Sequence, residues 1–174
     1  MESFSNNSLS ASQYPSISDI NFLSVENSYI KANLLISIIA TIVLTIIALI
    51  VQHFTTGKVS TIGFHASYLI ATIGVIATIW GYLGDKRKAY ALRELDISYR
   101  NGVIFRKTIT QPILRIQHVE ITRGPIERKL ELATLLLFSA GGSLHTFAIP
   151  GLPDERAEQL RQYILDHKDT TSAE

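Results

Sequence analysis

Cysteine is absent from this 174-residue chain, so it can hold no disulfide, no thiolate nucleophile and no cysteine-ligated metal. The same absence leaves the redox compartment unread. Net charge is scarce too: 16 Lys and Arg against 15 Asp and Glu leave +1, a balance that by itself directs the chain to no polyanion. From two stretches charge is missing altogether. Leu34 to Val51 reads LLISIIATIVLTIIALIV, with nothing more polar than Ser37, Thr41 and Thr45. Ala66 to Leu83 reads ASYLIATIGVIATIWGYL and is followed by Gly84 and then Asp85-Lys86-Arg87-Lys88. Neither run shows the polar stripe of a helix in a soluble core. At ~1.5 Å rise per residue each spans roughly 27 Å, close to the ~30 Å hydrocarbon thickness of a bilayer. Each therefore reads as one membrane-spanning helix. The lack of any Asp, Glu, Lys, Arg or His inside them argues against a proton or ion pathway.

What flanks the spans orients them. The link from Gln52 to His65 carries one basic residue, Lys58, whereas Lys31 precedes the first span and Lys86, Arg87, Lys88 and Arg93 follow the second. Lys and Arg collect on cytoplasmic flanks, so both termini are expected inside. Tyr29, Trp80 and Tyr82 then fall at the inner interface, and Phe54, Phe64 and Tyr68 near the outer one, in the manner of aromatic belts. Ser37, Thr41 and Thr45 recur every four residues on the first span. Ser67 and Ala71, Ala77 and Gly81, with Gly74 and Thr78 nearby, form small faces on the second. Such faces allow close approach in lipid, either within one hairpin or between two copies.

Residues 1–28, rich in Ser and Asn and without periodicity, are expected to form a disordered tail. This stretch lacks the basic start of a secretory signal, and no small-x-small cleavage site follows the first span. Residues 29–88 are assigned to the transmembrane hairpin, 89–168 to one small domain, and 169–174 to a frayed end. In the domain, Ile97-Ser98-Tyr99-Arg100 and Val103-Ile104-Phe105-Arg106 flank Asn101-Gly102, which predicts a two-residue hairpin pairing Tyr99 with Ile104 and Ile97 with Arg106. Ile116 to Ile121 and His145 to Ile149 read as strands, separated by breaks at Gly124-Pro125 and Gly141-Gly142. Ile126 to Leu132 fits a helical turn or a strand, and Ala133 to Ser139 a strand or a buried apolar run. Pro153 to His167 is an amphipathic helix with Asp154 and Glu155 in its first turn and a buried stripe of Ala157, Leu160 and Ile164.

Catalytic constellations are thin. His118 and Glu120 share a strand face, which suits acid–base or metal chemistry but suits a solvated sheet edge better. His53 and His65 beside the outer link read as interfacial. Asn101-Gly102 and Gly141-Gly142 open no helix and are turn glycines, not phosphate loops. No nucleophile has its base, no cofactor is implied, and the chain reads as not an enzyme. Nucleic acid is a poor partner, since aromatic interleaving is sparse. Basic residues concentrate from Lys86 to Lys129, eleven of them against Glu94, Asp96, Glu120 and Glu127. Topology alone accounts for Lys86, Arg87 and Lys88, but not for Arg100, Arg106, Lys107, Arg115, Arg123, Arg128 and Lys129, some of which are ordinary sheet solvation. Lys86, Arg87, Lys88, Arg106, Lys107, Arg128 and Lys129 are the candidate lipid- or partner-binding residues, because an anionic inner leaflet attracts each such charge by ~1 kcal/mol.

Two spans, a basic junction, a hairpin, Ile116-Gln117-His118-Val119-Glu120, Arg123-Gly124-Pro125-Ile126-Glu127-Arg128, Leu132-Ala133-Thr134, Gly141-Gly142 and Ile149-Pro150-Gly151-Leu152 before a closing helix follow one another. In this order the chain resembles the YdbS-like bacterial membrane proteins, which carry a pleckstrin-homology-like (PH-like) domain of the second bacterial kind. The resemblance runs from about Leu34 to the last helix. It departs at Glu131, where a glycine is expected, and at Arg123, where a glutamine is expected. It implies a transmembrane helical hairpin plus an α+β PH-like domain, a bent antiparallel sheet closed by a C-terminal helix. It implies a multi-pass protein of the bacterial inner membrane and brings no catalytic residues. Two functions follow as expectations: an assembly module that binds a membrane protein partner or a second copy of itself, and a sensor of anionic lipid or a small ligand. A contiguous apolar patch would favour the first, a basic pocket facing the bilayer the second.

Overall fold

The computed structural model of the chain describes residues 20–54, 58–139 and 147–171, with side chains at all of these except 58–62 and 168–171. The Gly141-Gly142 turn, His145, the Lys58 side chain, and the tail before residue 20 and after residue 171 lie outside the described residues. Both apolar runs are helical, in α1 (Asn27–His53) and α2 (Lys58–Asp85). Each helix is longer than its run. At ~1.5 Å per residue they extend roughly 40 Å, so about two turns of α1 project past the hydrocarbon on the domain side. The helices run antiparallel: Asn33 reaches Asp85 at one end, and Gly63 packs beside Gln52 at the other.

The expected tail is corrected over residues 20–28. Leu23–Ser24 forms β1, paired antiparallel with β2 (Ala89–Leu92), and Val25 beside it is buried. Glu26 N–H donates to the Gly151 carbonyl (3.0 Å), and α1 starts one residue later. The domain therefore begins before the hairpin and resumes after it. Two residues carry no periodicity, so this strand exists only through its partner.

Beyond β2 the order is β3 (Asp96–Asn101), β4 (Lys107–Pro112), a 3-10 turn (Ile113–Arg115), β5 (Ile116–Thr122), α3 (Pro125–Lys129), β6 (Leu132–Ser139), β7 (Phe147–Pro153) and α4 (Asp154–Thr171). Two antiparallel sheets result, β1-β2-β3-β4 and β5-β6-β7. Of the segment from Ile126 to Leu132, the part up to Lys129 is a short helix and Leu132 opens β6; Pro125 is at the helix's first position and Gly124 N–H donates to Glu127 Oε2 at 2.8 Å. The core lies between the sheets and α4: Ile97, Leu135, Leu137, Ile149, Leu152, Ala157 and Ile164 have no exposed surface. Ala157, Leu160 and Ile164 are the buried stripe of α4, as the spacing requires. The helix continues to Thr171, so the end expected to fray at 169 is helical for a further three residues.

The hairpin after Tyr99 forms with another register. Tyr99 faces Ile109, Ile97 faces Gln111, and Asn101 faces Lys107, leaving a five-residue loop from Gly102 to Arg106. A two-residue turn of the predicted type needs positive φ at both Asn101 and Gly102, and of the two only Gly102 has it (+105°). Directly opposed residues share a sheet face. The predicted register would have put the Arg106 charge opposite Ile97, inside the core. The observed one puts Gln111 there, its Nε2 donating to Ser139 Oγ at 3.2 Å, and joins Ser98 to Thr110 at 2.8 Å.

Candidate membrane-facing sites

Where the domain meets the helices, Asp85 is buried and fully engaged. Asn33 Nδ2 donates to its Oδ2 at 3.0 Å, and Lys88 Nζ pairs with its Oδ1 at 2.7 Å. Lys88 also donates to Tyr29 OH at 3.4 Å and lies 5.3 Å from that ring's centre. Burial pulls the Lys88 pKa down, but the Asp85 hydrogen bond and nearby Tyr29 outweigh it and hold it above the ordinary lysine value. From the domain side Gly151, at φ +66°, packs on Tyr29, where a Cβ would lie 2.5 Å from the ring. The Lys88 ammonium is thus already engaged by Asp85 and Tyr29, at the joint between the helices and the domain.

The remaining six candidates separate. Lys86 extends over the Tyr82 ring at 5.9 Å. Arg128 and Lys129 stand exposed on α3, and Lys107 at the exposed start of β4. Arg87 and Arg106 come together, joined by Arg100, around a cleft of about 170 Å³ at Gly102. Arg87 Nη1 donates to the Val103 carbonyl. The Arg100 guanidinium stacks 3.9 Å from the centre of the Phe22 ring, a cation–π contact supplied by the stretch just before β1. Arg100 stood among the basic residues that topology leaves unexplained but not among the seven site candidates; pairing of β3 with β2, Arg100 opposite Ala89, brings it beside Arg87. Its position flanking Asn101-Gly102 was the available signal.

A second concavity of about 280 Å³ lies between the first turns of α1 and α3, walled by Tyr29, Ala32, Ile36, Ile126, Leu130 and Leu132. Ile126 on α3 and Leu130, which caps its C-terminal end, are 45% and 38% exposed. They continue the apolar surface of α1 onto the domain. The other sequence candidates sit elsewhere. His118 packs 5.6 Å from the Phe138 ring, and His53 and His65 lie edge-on to Phe54 and Phe64. Among the described residues no group of three His, Asp or Glu could hold a metal ion.

The bacterial PH domain family model matches residues 18–168, which takes in β1, both long helices and all but the last three residues of α4. The chain belongs to the bacterial PH-domain family. A match that starts at residue 18 agrees with β1 being part of the domain. The transmembrane protein YdbS of Bacillus subtilis strain 168 is 31% identical over 113 aligned residues, covering 58% of this chain and 67% of the relative. No solved structure matches. This bacterial PH-domain chain is thus a membrane protein whose two apolar helices form one hairpin between β1 and β2.

Proposed function

We propose that the protein is a membrane-anchored, non-enzymatic binding module at the cytoplasmic membrane face, whose PH-like domain assembles with a membrane protein partner. The observation that carries this reading is the groove between α1 and α3. Its floor, Ala32 and Ile36, belongs to a helix entering the bilayer, and its rim, Ile126 and Leu130, belongs to the domain. An apolar helix of a second membrane protein could lie along α1 and touch the domain at the same time. Lipid tails match the span alone equally well, so contact with the domain is what would give a protein partner its advantage. Arg128 and Lys129 beside the groove would set the rim polarity.

A photo-crosslinking amino acid at position 126, in native membranes, tests this. We expect a discrete protein adduct that is lost with Leu130→Asp, while the variant still inserts. An adduct of twice the chain's mass would make the partner a second copy. Lipid adducts alone would sink the assembly role.

A further inference from the structure

The loop from Gly102 to Arg106 is tied to the inner end of α2. A Cβ on Gly84 would lie 3.6 Å from Val103 Cγ2, and Arg87 donates to the Val103 carbonyl. The apolar run ends at Leu83, so this loop stands at the depth of the lipid headgroups. Its tip is apolar and bare: Ile104 is 66% and Phe105 90% exposed. Gly102 shapes it, since at φ +105° a Cβ would fall 2.0 Å from the Phe105 carbonyl oxygen. Directly behind the tip lies the cleft lined by Arg87, Arg100 and Arg106, with no carboxylate in its wall among the described residues. Arg93, Arg123 and Arg161 pair with carboxylates, whereas these three, like Arg115, Arg128 and Arg156, form no ion pair among the described residues.

We propose that Arg87, Arg100 and Arg106 bind the phosphate of an anionic lipid while Ile104 and Phe105 enter the bilayer interface beside it. Guanidinium forks match phosphate oxygens geometrically and stay charged at any accessible pH. The Phe22 ring holds Arg100 in place before the ligand arrives. Tip and cleft belong to one loop, so a phosphate in the cleft and an apolar tip in the interface would be reached in one posture. This site is independent of the groove at α3, and each can fail alone.

The test uses the full chain in neutral detergent and follows binding of phosphatidylglycerol, phosphatidylcholine and soluble glycerol phosphate. The variants are Arg106→Gln, Arg87→Gln with Arg106→Gln, and Phe105→Ser. Arg100 is left intact because its stacking on Phe22 could matter for folding. We expect phosphatidylglycerol to bind in preference to phosphatidylcholine, with about a tenfold loss for each arginine removed, and weakening by salt. Phe105→Ser should weaken the lipid and leave glycerol phosphate unaffected. Equal binding of both lipids, or unchanged phosphatidylglycerol binding in the double variant, would overturn the site. Glycerol phosphate binding as tightly as the lipid, with Phe105→Ser inert, would overturn the membrane source and assign the cleft to a soluble phosphate compound. An unchanged thermal midpoint in detergent for the arginine variants shows that the chain is still folded, so that loss of lipid reports on the cleft.

Discussion

Glu131 has φ +56°, the one non-glycine residue in the left-handed region among those described. It stands between α3 and β6, where the resemblance leads one to expect glycine, and its carbonyl accepts the Asp154 N–H at 3.0 Å. A left-handed L-residue costs roughly 1–2 kcal/mol, part of which glycine returns through its larger unfolded-state entropy. Glu131→Gly is therefore expected to stabilise the protein by up to about 1 kcal/mol, read as a raised thermal midpoint in detergent. A lowered midpoint would mean that the side chain contributes something the backbone argument misses. The other departure also has a local use. Arg123 bridges Asp154 at 2.8 Å and Glu158 at 3.3 Å across the start of α4, near the helix end where those acids are favoured. Both departures were visible as residues. What they do was not, because neither the φ of one position nor the ion pairs of another can be read from spacing.

Among elements, the long helices show what small residues at a fourfold spacing are for. Ser37 and Thr78 are joined at 2.7 Å, and Gly74 lies against Thr41, where a Cβ would come within 2.4 Å of Cγ2. Thr41 and Thr45 return their hydroxyls to carbonyls four residues back, at 2.9 and 2.8 Å. The alternatives of hairpin and dimer thus resolve for this face: it is occupied within the chain. Gly81, by contrast, meets nothing within 4 Å. Gly74→Val should force the helices apart, at a cost of roughly 1–3 kcal/mol for overpacking. A chain without cysteine makes this measurable. Ser37→Cys with Thr78→Cys should crosslink readily in membranes, and adding Gly74→Val should cut the yield severalfold. An unchanged yield would show that the close approach at Gly74 is dispensable.

At the scale of the molecule, the Asp85 cluster joins hairpin to domain. Asn33 from α1, Asp85 at the end of α2, Lys88 just beyond it, and Tyr29 against Gly151 bring both helix ends and β7 to one point. The domain and both inner helix ends must therefore lie on one side of the bilayer. From the Lys and Arg flanks we expect that side to be the cytoplasm. We expect a Lys58→Cys chain to react with an impermeant thiol reagent in intact cells and a Lys168→Cys chain to react only after permeabilisation. The reverse pattern would invert the molecule and place the arginine cleft and the α3 groove outside.

Apolar length and the absence of charge were enough to mark both spans, because lipid tolerates no unsatisfied backbone and leaves the helix as the one local solution. The α4 stripe was equally plain, since a 3.6-residue period declares its buried face without reference to neighbours. Three features needed the folded chain. β1 is two residues long and is a strand only because β2 pairs with it. The β3–β4 register was misread because local turn preference yielded to keeping Arg106 out of the core. Arg87, Arg100 and Arg106 are 19 positions apart from first to last, and they meet only because that longer loop folds back onto the end of α2. Periodicity reports what a segment does with its own neighbours in sequence. A site assembled from a helix end, a strand end and a loop depends on distances that only tertiary packing sets.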